Sequence, residues 1–255
     1  MVIWGAECRR VLYSSRVVAL LGLYSLFSLV IFLAAAMLRA FVLQATQSGM
    51  VLPSQDIPLA VMVVFYLSLF FLPLYVALMG FDQVSGEVGP RSIRYLTVRA
   101  RRTSVVLGKF LAQTTILLGM VLVLDVGLCI YTGLTTPGMG PGNLVVHLLK
   151  FWLASTVFSL TFLALTSLCS NLTTSPAVSL ISNLSVLMLS LLFWMTTMAE
   201  ESNPLRLLRF LSPFAYSINL LSPEPAQVGV SVAAYMGFTV VFLVSALQAL
   251  RARDL

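Results

Sequence analysis

The sequence predicts an all-α integral membrane protein with six transmembrane helices. Hydrophobic residues make up 59% of the chain and charged residues only 9%, whereas a soluble domain carries about 25% charged residues. The apolar residues gather in runs of about 20, the length a helix needs to cross the hydrocarbon. The charges fall between those runs. No alternating barrel pattern competes with helices, which close their backbone hydrogen bonds within each span.

The elements follow in order. Residues 1–16 mix Val2, Ile3, Trp4, Val11 and Leu12 with Glu7, Arg9, Arg10 and Arg16. That mixture predicts an amphipathic interfacial helix with Trp4 at headgroup depth. The predicted spans are Val17–Leu38, Pro58–Phe81, Leu107–Tyr131, Val145–Leu168, Ala177–Met198 and Val230–Leu250. Arg9-Arg10 before the first span and Ala34-Ala35-Ala36 at its end imitate a cleavable signal. Its apolar run exceeds the roughly 7–15 residues of a signal core, so retention is expected. Residues 82–106 form a polar connection between the second and third spans. Thr135–Gly142 is turn chemistry. Residues 202–228 predict short helices, broken at Ser212-Pro213, that dip into the outer leaflet. Residues 1–255 are expected to form one transmembrane domain.

Charge placement sets the orientation. With both termini in the cytoplasm, Arg9, Arg10, Arg16, Arg91, Arg94, Arg99, Arg101, Arg102, Lys109, Arg251 and Arg253 lie inside; Arg39, Lys150, Arg206 and Arg209 lie outside. The positive-inside rule selects this arrangement. The net charge of +6 forms no basic stripe interleaved with aromatics, so a nucleic-acid partner is not expected. Membrane lipids are.

Catalytic chemistry is missing. Cys8, Cys129 and Cys169 show neither metal spacing nor a paired framework. The one histidine, His147, has no second histidine or nearby carboxylate with which to hold a metal. No nucleophile elbow accompanies it. Gly108-Lys109 is followed by Phe110, and Thr103 occupies the place of a first Walker glycine, so the chain has no phosphate-binding loop. The Asn-x-Ser/Thr matches at Asn171 and Asn183 fall inside or within a span, where glycosylation is not expected.

The richest segment runs from Phe81 to Phe110. An acidic end (Asp82, Glu87) is followed by a Gly89-Pro90 break. A short basic amphipathic helix comes next, with Ile93, Leu96 and Ala100 on one face and Arg91, Arg94, Arg101 and Arg102 largely elsewhere. Such a segment can present a rigid knob to a soluble partner.

This layout resembles the permease subunits of type-2 ATP-binding cassette exporters. Glu87, Gly89 and Ser92, Leu96, Arg102 and Gly108-Lys109 stand where that family links its second and third spans. Pro90-Arg91 and Arg99 depart from the family's Gly-Thr start and its proline. Leu211-Ser212-Pro213-Phe214 is similar to its Ser-Pro element before the last span. Asp82 is similar to the branch serving nitrous-oxide reductase maturation and gliding motility.

The resemblance implies a prokaryotic inner-membrane exporter built from two permeases, as a homodimer or with a related chain. Two copies of a separate ATPase would bind ATP and Mg, leaving no cofactor in this chain and no enzyme activity of its own. It implies coupling to the ATPase through Glu87, Gly89, Arg91, Arg94, Leu96, Arg99, Arg101 and Arg102, which would make or orient the contact. For each arginine the alternative is a purely topological role with binding to anionic headgroups.

Asp125 lies inside the third span, where an ionisable group costs about 2.5–3.5 kcal/mol on insertion scales and usually faces a cavity or partner. Asp125 and Asn183 are candidates for the cargo path or a subunit interface. The alternative is a protonated or hydrogen-bonded Asp125 packed against Ser, Thr or Asn183 of a neighbouring helix. Ser155, Thr156, Ser159, Thr161, Thr166 and Ser167 in the fourth span, and Ser179, Ser182, Ser185 and Ser190 in the fifth, suit close helix packing. A secondary transporter or channel is the competing function, hinted at by Asp125 alone. An intramembrane enzyme lacks its catalytic set.

Overall fold

The computed structural model describes residues 59–88, 101–135, 140–196 and 204–252, together with separate positions between 4 and 40. Among them five helices are long and apolar enough to cross a membrane. In chain order the helices are α1 (Leu59–Gly80), the one-turn α2 (Ser85–Val88), α3 (Arg102–Thr135), α4 (Pro141–Leu172), α5 (Pro176–Met195) and α6 (Pro225–Arg251). No strand occurs among the described residues. The predicted second to sixth spans fall on α1, α3, α4, α5 and α6. The predicted first span is described only at separate positions, which are helical. There Leu20 packs on the core while Leu23, Leu26, Leu29, Leu33 and Met37 are exposed.

Proline punctuation sets three starts. Pro141, Pro176 and Pro225 each occupy the first turn of their helix, where a missing N–H costs nothing because that donor has no intrahelical acceptor. Pro73 lies inside α1, which a membrane helix tolerates when neighbours satisfy the freed carbonyl. The third span begins earlier than its hydropathy suggested. No breaker stands between Arg102 and Gly108, so the helix runs back to Arg102 and absorbs part of the predicted 82–106 connection. At 1.5 Å per residue its 34 residues extend about 51 Å, well beyond a hydrocarbon core of about 30 Å.

α4 is the central post, touching α1, α3, α5 and α6. Phe151, Phe158, Phe162 and Leu163 fill its contact faces. The Phe158 ring meets Phe162 at 4.8 Å and Tyr235 of α6 at 5.7 Å between centroids. α5 turns back after Thr173–Ser175 and buries Ser179, Asn183, Leu187 and Ser190, a stripe at helical spacing. Its Val178, Ile181, Met188, Leu192 and Met195 face outward, as a lipid-facing surface requires. Before α6 the chain makes short 3-10 helices at Pro204–Leu211, Pro213–Tyr216 and Ile218–Leu221. Ser212 breaks the first from the second and caps it by accepting from Phe214 N. The Ser212 hydroxyl also donates to Ser190 O at 2.7 Å, and Tyr235 OH donates to Pro213 O at 2.8 Å.

Candidate functional site: the charged elbow at one end of the bundle

α1 ends in a turn, Phe81–Val84, that leads into α2. The turn is held from within, where Ser85 Oγ donates to Phe81 O. It is also held from α4, where Ser170 Oγ accepts from Val84 N and Ser85 N at 2.9 and 3.1 Å. This anchoring turns Glu87 inward beneath α3. Lys109 donates to Glu87 Oε1 at 2.8 Å and pairs with Glu7 Oε1 at 3.1 Å. All three side chains are largely buried. A buried ammonium persists only with counter-charge at hand, and here two separate chain segments supply it.

Glu7 belongs to residues 1–16, the leader, whose described residues run along α3. Trp4 Nε1 donates to Thr115 Oγ1 at 3.1 Å, and the Cys8 thiol lies against Ala112 O. Six residues of helical rise put Thr115 about 9 Å farther along α3 than Lys109. Trp4, Glu7 and Cys8 are therefore packed on α3.

A second link lies one and a half to two turns nearer the start of α3. Arg102 Nη1 donates to Leu250 O at 3.2 Å and to Arg251 O at 3.0 Å, the last carbonyls of α6. Beside it Val84, Val106 and Leu250 are buried together, with Val88 and Leu247 packed around them. Arg101 and Arg251 are exposed.

A polar layer closes the bundle above the elbow. Gln113 Nε2 reaches Met79 O at 3.4 Å, and Asn183 Nδ2 donates to Thr166 Oγ1 at 2.8 Å. Gly80 makes the crossing possible: a Cβ there would meet Thr166 Cγ2 at 2.7 Å and Gln113 Oε1 at 2.9 Å. Asp125 stands about 24 Å along α3 from Lys109. It is buried, and its Oδ2 has no hydrogen-bond partner among the described residues. Among those residues no group of three His, Cys, Asp or Glu side chains is placed to hold a metal.

The family model described as "ABC-2 family transporter protein" matches residues 1–255. The chain belongs to the ABC-2 transporter family. It is therefore a permease, the membrane component of an ATP-binding cassette transporter and not its hydrolytic one. No curated protein matches the chain.

Of the coupling residues expected in this ABC-2 permease, Glu87, Arg101 and Arg102 are brought to one end of the bundle, Glu87 buried, Arg102 half-buried and Arg101 exposed. Gly89, Arg91, Arg94, Leu96 and Arg99 lie outside the described residues. Asn183 Nδ2 pairs with Thr166 Oγ1 of α4 in the same chain rather than with Asp125. Sequence reasoning missed Lys109 as the centre of the elbow, Glu7 as its second partner, and Ser170 and Gly80 as supports. One signal was available. Arg102, Val106, Lys109 and Gln113 recur at helical spacing and share one face of α3, so polar residues there had to meet partners.

Proposed function

We propose that this permease moves cargo outward across the cytoplasmic membrane of a prokaryote, powered by ATP hydrolysed on a separate ATPase subunit. Two permeases, copies of this chain or a related pair, enclose the pathway, and two ATPase subunits with their ATP and Mg bind beneath. Both termini and the charged elbow face the cytoplasm, and residues 17–38 supply the sixth span. The segment from Glu87 to Arg102 is the coupling element. Gly89, Arg91, Arg94, Leu96, Arg99 and Arg101 belong to the contact with the ATPase, whereas Glu87 orients it from its buried pair with Lys109. Asp82 ahead of Glu87 suits the branch that serves nitrous-oxide reductase maturation and gliding motility.

The observation that carries this reading is the Glu87–Lys109 pair at 2.8 Å. It locks the end of α2 to α3, so a push on the intervening segment is delivered to both helices as a unit. Ser170 extends the lock to α4. The test is co-purification of the chain with a separate ATP-binding cassette ATPase subunit, followed by ATPase assay in lipid. Reversal of Arg101 to Glu is expected to weaken capture of the ATPase; unchanged capture and unchanged turnover for reversals of Arg91, Arg94 and Arg101 together would remove the proposal. Asp125, buried along α3, favours the second reading, a transporter or channel that works without an ATPase, and absence of any ATPase partner would select it.

A further inference from the structure

Arg102 has a different surrounding from its neighbour Arg101. Arg101 is exposed, whereas the Arg102 guanidinium turns to the end of α6 and reaches two carbonyl oxygens there. The last carbonyls of a helix have no intrahelical donors, and the helix dipole makes them a favourable seat for a cation. One turn farther along the same face of α3, Val106 meets Leu250 and Val84 in a layer closed to solvent. Among the described residues, Arg101 and Arg251 beside this junction are exposed and of like sign.

We propose that Arg102 is a positioning residue that fastens the start of α3 to the end of α6, so that the last span is carried with the third when the coupling segment moves. The inference rests on the coupling reading above for its motion, but not for its geometry. Arg102 ties two spans together instead of touching the ATPase. Three residues on one stripe of α3 then tie neighbouring elements together: Arg102 holds α6, Lys109 holds the leader and α2, and Gln113 reaches α1.

Two measurements test it. The first needs no ATPase: hydrogen exchange of the α6 end, residues 246–252, in the full chain in lipid. Arg102→Ala is expected to speed exchange there about tenfold, as loss of a charge-assisted cap implies, with α5 unchanged. Arg102→Lys, which can still reach a carbonyl, should recover part of the protection. Unaltered exchange in Arg102→Ala overturns the tie, as does exchange that rises equally in α5. The second uses the assembled transporter, with Cys8, Cys129 and Cys169 replaced by Ala and a disulfide formed between Val106→Cys and Leu250→Cys. If the two ends travel together, oxidation leaves ATPase turnover within about twofold; a larger fall that a reducing agent reverses shows that they must part and overturns the proposal. Arg102→Ala should still capture the ATPase, and loss of capture would make Arg102 a contact after all. Failure of the unaltered chain to capture any ATPase would sink the coupling reading while leaving the exchange result to judge the tie.

Discussion

Lys109 Nζ stands 2.8 Å from Glu87 Oε1 and 3.1 Å from Glu7 Oε1, so one buried ammonium joins α3 to both the end of α2 and the leader. Three charges of two signs are held where water scarcely reaches. Removing Lys109 deprives both carboxylates of the ammonium they share.

Lys109→Met tests this directly. Breaking a buried pair typically costs about 3–5 kcal/mol because an uncompensated charge is left behind. The variant should unfold in detergent at much lower temperature than the parent. The exchange Lys109→Glu with Glu87→Lys should recover part of the loss, since the pair is rebuilt in reverse, although Glu7 then faces a carboxylate. Equal stability of Lys109→Met and parent would show that the pair contributes nothing.

At Gly80, α1 packs tightly against Thr166 of α4 and Gln113 of α3. Gly80→Ala should destabilise by about 1–3 kcal/mol, the usual cost of overpacking, because a methyl group would press on Thr166 Cγ2 and Gln113 Oε1 at under 3 Å. Adding Thr166→Ser removes the obstructing methyl and keeps the hydroxyl that Asn183 uses. Thermal unfolding of the double variant should return toward that of the parent. If it does not, α1 and α4 do not meet through this pair.

Tyr235→Phe removes the hydrogen bond to Pro213 O at 2.8 Å without changing the ring. We expect a loss of about 1 kcal/mol, the net value of a typical buried hydrogen bond. Protease cleavage within residues 204–221 should speed up, because the Ser212-Pro213 corner loses its fastening to α6. Unchanged cleavage would mean that the Ser212–Ser190 bonds hold the corner alone.

Asp125→Asn should raise the unfolding temperature. The carboxyl lies in a buried position with Oδ2 unpartnered among the described residues, and an amide of equal size removes the cost of keeping an ionisable group there. A fall in stability would instead reveal that the carboxylate is held by a partner in the assembled protein.

Orientation is read by labelling single cysteines in a cysteine-free background. Cysteine at the exposed Ser104 should react with a membrane-impermeant maleimide only after the membrane is opened, and cysteine at the exposed Gly140 should react in intact cells. The reverse pattern would place the elbow outside and end the coupling proposal.

The sequence alone determined the membrane class and the helical character, and five of its apolar runs fall on the membrane-length helices among the described residues, because hydropathy over about 20 residues is a local quantity fixed by the solvent a helix must face. Its resemblance to type-2 exporter permeases also marked Glu87, Arg102 and Gly108-Lys109 as a set between two spans. What it could not decide was which way each charge turns. Arg101 and Arg102 are adjacent and chemically identical, yet Arg101, just ahead of α3, is exposed, whereas Arg102, its first residue, reaches the carbonyls of α6. Only the tertiary structure settles such choices, because Glu7, Glu87 and Lys109 are distant in the chain and become partners only once α3, α2 and the leader have packed.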